Sequence, residues 1–416
     1  MASIARKNLF EDIPRFLVAQ AGIMFAVSLV TIQLGILKGF SRSTAIVVDH
    51  TTADLWVTSQ EMVYFELTSA LPADYLTQAE KVSGVDRAEV LLLRSGRWRD
   101  ANGKLAPVRI FGFNPDGQLF AGWKILQGKI EDLKQPYTVM LDQDSRRSLG
   151  LQQLRDQGSI GFLPATVVGF LDDVQSNASS PFLFASLETA NAYGTAELSS
   201  SITCTRQSNG ELNCTNRFQN RPLGQKIGEI QPPARLNLGD PITYILIRAK
   251  PGENLDLLKQ RLRDALPGTE AYTRKEMAAL TRNYWEERTG VGFILGLGAT
   301  VGFIVGMVVV GQILYSSVAD HIREFGTLKA MGASNWVIYR VIIEQALWMS
   351  ILGYVPSILL CVGLGHWTQA AKGVMILIEP TTAAGVLVLT VVMCVGSALF
   401  AVQKVTRVDP AIVFKA

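Results

Sequence analysis

Cys204 and Cys214 bracket the turn-forming run Ser208-Asn209-Gly210 and sit in Thr-rich, strand-like segments. Thiols so placed could close a disulfide across a hairpin in an oxidising compartment. Two free thiols are the other outcome the spacing allows. Cys361 and Cys394 lie in apolar runs, where a thiol behaves as a small hydrophobe. The carboxylate pairs Asp142/Asp144 and Asp172/Asp173 have the character of solvated turn residues rather than of an acid and a base. The three histidines, His50, His321 and His366, fall in regions that the hydropathy pattern separates, so they offer no metal site within one chain. The sequence carries no G-x-S-x-G elbow, no H-E-x-x-H and no G-x-x-x-x-G-K-[ST] phosphate loop. The expectation is a chain that is not an enzyme, binds no cofactor of its own and cannot hydrolyse ATP alone.

The elements that hold these residues follow from an uneven distribution of apolar side chains. Residues 16–37, 291–318, 341–366 and 382–402 form apolar spans, and about 20 apolar residues suffice to cross a hydrocarbon core of roughly 30 Å. The fold class expected is an α-helical membrane protein with four transmembrane helices, arranged one plus three. A large α+β extracytoplasmic domain is inserted between the first and second. Arg6, Lys7 and Arg15 precede the first span; Arg323, Lys329 and Arg340 separate the second and third; Lys404, Arg407 and Lys415 follow the fourth. Basic flanks stay on the cytoplasmic side, so segments 1–15, 319–340 and 403–416 are expected there, and residues 38–290 and 367–381 outside. The first span is too long for a signal h-region and no A-x-A site follows it, which marks it as a retained anchor. The net charge of +3 reflects this topology, and no basic patch points to nucleic acid.

Within residues 38–274 the pattern predicts two strand-helix-strand units. The first runs from a β-rich stretch at 45–58, through a helix at 71–82, to a strand at 88–93. The second pairs a strand at 242–249 with a helix at 254–266, apolar at Leu255, Leu258 and Leu262, and a short strand at 270–273. Together they imply helices packed on a sheet. Short strands at 107–113, 137–141 and 165–171 lie between them, and residues 177–233 are rich in Ser, Asn, Thr and Pro. Residues 275–290 read as a stalk helix running into the second span, because no Pro and no Gly interrupts 275–288. In that span Gly298, Gly302 and Gly306 line one face, which permits close approach of another helix from this chain or a partner. Glu344 opens the third span and pairs most simply with Arg340, four residues earlier.

Between the second and third spans the chain reads Asp320-His321-Ile322-Arg323-Glu324-Phe325-Gly326-Thr327-Leu328-Lys329-Ala330-Met331-Gly332-Ala333-Ser334. This resembles the R-E-[IF]-G-x-L-K-A-x-G-A-S signature of the FtsX-like, MacB-type ABC permeases that work by mechanotransmission. Arg407-Val408-Asp409-Pro410-Ala411 also looks like that family, and with the span order the resemblance covers essentially the whole chain. It implies ATPase coupling through Arg323, Glu324, Phe325, Gly326, Leu328, Lys329, Ala330 and Gly332. It implies further an inner-membrane permease that pairs with a second copy, most simply as a homodimer, on ATPase subunits that bind ATP and Mg.

With so little before the first span, the chain looks like the split forms without a fused ATPase, most like the DevC branch. That branch adds a periplasmic membrane-fusion protein and a TolC-like outer-membrane protein to export a lipid, glycolipid or other amphiphile drawn from membrane lipid. The alternatives are a LolC/LolE-type lipoprotein extractor, or an FtsX-like signalling subunit that regulates an external partner without transport.

Overall fold

The computed structural model describes residues 13–176, 178–195, 200–206, 212–218, 231–237, 240–320, 327, 331, 334–372 and 375–406. It divides into two compact units, Ser41–Trp285 and the remainder on either side.

The chain begins with α1 (Ile13–Thr44) and a short α2 (Ile46–Asp49). There follow β1 (Leu55–Ser59), β2 (Leu71–Pro72), α3 (Tyr75–Glu80), β3 (Val85–Arg99), β4 (Leu105–Phe113) and β5 (Lys124–Gln127). Next come β6 (Thr138–Asp142), β7 (Gln157–Ile160), β8 (Leu163–Asp172), β9 (Phe182–Ser186) and α4 (Leu187–Thr195). β10 (Ser200–Arg206), β11 (Leu212–Phe218), β12 (Pro241–Ile242), β13 (Tyr244–Ala249), α5 (Leu255–Ala265) and β14 (Thr269–Thr273) complete the external domain. Then α6 (Arg274–Thr289), α7 (Val291–Asp320), α8 (Asn335–Lys372) and α9 (Pro380–Thr406) close the described chain.

The external unit is built on a ten-stranded mixed sheet in the order β14-β1-β13-β3-β4-β9-β6-β8-β5, with β7 bridging β3 and β8. Side chains alternate across its two faces. Leu55, Val57, Ile245 and Ile247 point to one layer with Ala79 of α3, Tyr193 of α4 and Leu258 and Leu262 of α5. Trp56, Tyr244 and Leu246 point to the other, with Ile46–Val48 of α2, Phe65, Phe111 and Met277 and Ala278 of α6. Because both faces are covered, β1, β6 and β9 are buried along their whole length and carry apolar runs instead of alternation. The run expected to be β-rich from residue 45 starts instead as helix over Ile46–Asp49. Its β-branched side chains pack into the second layer, and that packing overrides their strand preference.

In the other unit, α1, α7, α8 and α9 supply four helices long and apolar enough to cross a membrane. Ile23, Ala26, Val310, Ala346, Met349 and Met393 form their shared core. Hydroxyls find carbonyls on neighbouring helices: Ser397 Oγ donates to Met307 O at 2.7 Å and Tyr354 Oη to Ala383 O at 2.8 Å. Gly290 separates α6 from α7 with φ +63°, so the stalk and the second span are two helices, not one. This left-handed conformation is a common helix terminator and is open to glycine without steric cost.

Candidate functional site

The eight residues expected to couple to an ATPase, Arg323, Glu324, Phe325, Gly326, Leu328, Lys329, Ala330 and Gly332, lie outside the described residues. The flanking helices bound the segment, α7 ending at Asp320 and α8 starting at Asn335. Within it the Met331 N–H reaches the Thr327 carbonyl at 3.0 Å, a bond of helical i to i−4 type.

The glycine stripe of α7 faces α1 of the same chain. A Cβ at Gly298 would lie 2.7 Å from Gln33 Nε2, and one at Gly302 would lie 3.1 Å from Leu29 Cδ2. At Gly306 it would overlap Met393 Sδ and come within 2.6 Å of Ala26 Cβ. At Gly306 the Ala26 Cβ cannot yield unless the helices part, so the close approach there needs glycine, whereas at Gly298 and Gly302 the ends of Gln33 and Leu29 would have to shift. Gly292 and Gly296, nearer the start of α7, have open space beside them.

The stalk is seated on the external sheet by a set of local and long-range contacts. Thr273 and Glu276 form a capping box at its start: Glu276 N–H bonds Thr273 Oγ1 at 3.2 Å and Thr273 N–H bonds Glu276 Oε2 at 2.7 Å. Burial pushes the Glu276 carboxyl up, but the Thr273 bonds and the Lys259 ammonium at 3.0 Å outweigh it, holding the group below the usual carboxylate range. Arg274 donates to the Thr51 carbonyl at 2.6 Å, and Arg282 pairs with Asp49. Met277, Ala278 and Thr281 are buried against the second core layer. The segment leaving α1 and the segment entering α6 are therefore bonded to each other as well as to the sheet edge.

A loop between β1 and β2 clamps the outer side of the stalk. Tyr64 stacks on Tyr284 at 4.0 Å between ring centroids, and Phe65 N–H donates to Thr281 Oγ1 at 3.4 Å. Glu66 anchors that loop from inside: its side chain, 3% exposed, accepts from Arg109 Nε at 2.8 Å and Ser179 Oγ at 2.7 Å. Removing the cation strands a buried carboxylate. Because Arg109 is itself partly exposed, Arg109→Met is expected to cost about 2 kcal/mol in denaturant unfolding, with Glu66→Gln in the same chain recovering most of it. No recovery in the double variant would show that the pair is not the anchor.

Cys204 and Cys214 stand directly opposite one another in the β10·β11 hairpin. Among the described residues Arg340 and Glu344 form no ion pair, and no group of three or more His, Cys, Asp or Glu could hold a metal. Asp142 is not the solvated turn residue expected: it is buried at the end of β6 and accepts backbone N–H bonds from Asp144, Val174 and Gln175. Trp98, Phe182 and Phe184 are core residues. Thr273-x-x-Glu276 is a sequence-level helix-start signal that would have placed the stalk's first turn. The Tyr64, Phe65 and Glu66 contacts join positions far apart in the chain and have no local signal.

Residues 16–265 match the MacB-like periplasmic core domain, and residues 296–410 match the FtsX-like permease C-terminal model. The pyoverdine export ATP-binding/permease protein PvdT of Pseudomonas syringae pv. syringae (strain B728a) is 25% identical over 171 residues, 40% of this chain and 26% of that protein. The macrolide export ATP-binding/permease protein MacB of Marinobacter nauticus (strain ATCC 700491 / DSM 11845 / VT8) is 29% identical over 104 residues, 24% of this chain and 16% of that protein. The matched stretches span about a quarter or less of those relatives' own length. Among solved structures, the periplasmic region of MacB from Actinobacillus actinomycetemcomitans aligns with a TM-score of 0.35 and 13% identity, over 56% of this chain and 94% of that one. The extracellular domain of the noncanonic ABC-type transporter YknZ from Gram-positive bacteria aligns at 0.32 and 10%, over 53% and 98%. The periplasmic core model alone covers more than half of the 416 residues, and the chain belongs to the FtsX-like permeases that carry a MacB-like periplasmic core domain.

Proposed function

We propose that this chain is the permease subunit of a mechanotransmission-type ABC exporter. It couples an ABC ATPase on a separate chain to export of a lipid, glycolipid or other amphiphile from the outer face of the membrane. The observation that carries this reading is the seat of the stalk, where Arg282–Asp49, Arg274–Thr51 and the Tyr64–Tyr284 stack bind both chain crossings to one sheet. Motion of the spans would then reach the external domain as a whole. The names of the relatives, both exporters with ATP-binding and permease functions, support the class of machine.

In this reading two permease copies sit on ATPases that hold ATP and Mg. Residues 323–332 dock in the ATPases, and a membrane-fusion protein and a TolC-like duct continue the path outward. The termini face the cytoplasm, as the basic flanks favour. Affinity isolation of the full chain from gently solubilised membranes is expected to bring down an ABC ATPase with a fusion protein and a duct. A wall hydrolase in place of the last two would favour signalling, a soluble lipoprotein carrier would favour lipoprotein extraction, and isolation without any ATPase would defeat the proposal.

The hairpin cysteines join this proposal as a brace on the external side. Directly opposed residues in an antiparallel pair lie about 4.5–5.5 Å apart at Cα, within the range a disulfide spans. Non-reducing peptide mapping is expected to recover Cys204 and Cys214 in one cross-linked product. Recovery of both as alkylated thiols would overturn the bond.

A further inference from the structure

The external unit contains a cavity of about 170 Å³ lined by Phe113, Trp123, Ile130, Leu133, Met140 and Phe184, with Gly122, Ile125 and Leu171 completing its wall. Every side chain in that wall is apolar apart from the indole N–H of Trp123. Buried polar atoms are normally hydrogen-bonded, yet Trp123 Nε1 is buried and has no partner. The space exceeds the roughly 150 Å³ of an apolar protein cavity known to take up benzene. It is therefore large enough for a stretch of hydrocarbon and too apolar to be stabilised by water.

The rim is built to admit such a group. β5 is the terminal strand of the sheet, exposed along its length, and presents Ile125 and Leu126 at 37% and 40% exposure. A register shift between Ile125 and Gln127 interrupts its regular pairing with β8. Glycines at positive φ bound it on both sides, Gly122 at +106° and Gly128 at +86°. At Gly128 a Cβ would overlap the Val168 carbonyl oxygen, so the second turn closes only with glycine.

The wall also touches the segment that leaves the first membrane span. Trp123 rests on His50 with ring centroids 5.5 Å apart, and His50 lies six residues beyond Thr44, the last residue of α1. Arg42, in the last turn of α1, pairs with Asp173 at 2.5 Å, next to the Asp172 that holds Lys124 of β5. Through these contacts the cavity wall is linked to residues at and just beyond the end of α1.

From this juxtaposition we infer that the cavity beneath β5 binds a short stretch of one aliphatic tail of a membrane amphiphile. The inference rests on the exporter reading only in calling that amphiphile cargo; binding itself stands apart from it.

The test uses the full chain in phosphatidylcholine nanodiscs with a palmitic acid analogue carrying a mid-chain diazirine. After irradiation, adducts are expected on peptides containing Trp123, Ile125, Ile130 or Met140, and unlabelled palmitate should compete them away. Ile130→Trp, which fills the cavity, and Ile125→Glu, which charges its mouth, should each lower that labelling about tenfold. Ile125 is part-exposed, so its variant keeps the fold even where the bulkier indole does not. Adducts confined to the spans, adducts that palmitate does not displace, or labelling unchanged in Ile125→Glu would each overturn the inference. ATPase coupling is read in the same discs after the partner ABC ATPase is added. A silent cavity with intact coupling removes the tail site alone, and a labelled cavity without coupling removes the exporter reading alone.

Discussion

Deleting residues 323–332 is expected to abolish stimulation of the partner ATPase and export together, while the external domain keeps its unfolding midpoint. The segment joins α7 to α8, and its sequence sets Ile322, Phe325 and Leu328 three residues apart, the spacing of one face of a helical turn. Arg323, Glu324 and Lys329 stand between them as charges that can fix register against a partner. A short docking surface of this kind concentrates its affinity in a few buried anchors. Gly326→Asp tests the same surface without shortening the chain. It sets a carboxylate beside Phe325, where an unpaired charge buried on docking costs roughly 3 kcal/mol, about a hundredfold in affinity. ATP turnover by the reconstituted complex, with and without the permease, reads this directly. Unchanged stimulation in both variants would mean that force enters the chain elsewhere, and the proposed function would fall with it.

What the sequence made legible was whatever depends on near neighbours. Leu255, Leu258 and Leu262 repeat on one side of a helix, and α5 buries Leu258 and Leu262 against β14 and β1. The stalk was visible because nothing breaks residues 275–288, but it was expected to run into the second span, and the structure ends it at Thr289 with Gly290 at positive φ. The family-bearing motif after the second span was legible too, as the match of residues 296–410 to the FtsX-like model bears out. The glycine stripe identified a face of α7 but not its neighbour, since Leu29, Ala26 and Met393 come from helices distant in sequence. Ile46–Val48 read as strand because β-branched side chains favour one, and only the tertiary core supplies the reason for helix. Asp142 was misread for a similar reason: Asp-x-Asp looks like a turn until β8 and β9 close over it. The tail cavity is likewise made of strands and loops that meet only in the fold, and no run of residues announces it.

Asp142→Ala is expected to cost the external domain about 4 kcal/mol at neutral pH, since three backbone N–H groups would lose their acceptor at once. The bond from Asp144 at 2.8 Å closes the turn that follows β6, and those from Val174 at 2.7 Å and Gln175 at 3.1 Å pin the turn after β8 to the end of β6. The same turn carries Asp173, the partner of Arg42, so the loss also loosens the tie to the end of α1. Burial pushes the Asp142 carboxyl up to about 6 from an ordinary 3.8, even though the three N–H groups pull the other way. A folded-state value above the unfolded one means that proton binding favours the native domain. The stabilisation is complete below about pH 4 and is lost as pH rises through 6, a change on the order of 3 kcal/mol from this one group. Asp142→Asn cannot ionise and keeps one carbonyl acceptor, so it should erase that slope and stand above Asp142→Ala across the range. Urea unfolding of the full chain in nanodiscs from pH 4 to 7, followed by the emission of buried Trp56 and Trp98, gives both quantities. An alanine variant within 1 kcal/mol of wild type, or an asparagine variant that keeps the slope, would show that the turn is held by its neighbours instead of by Asp142.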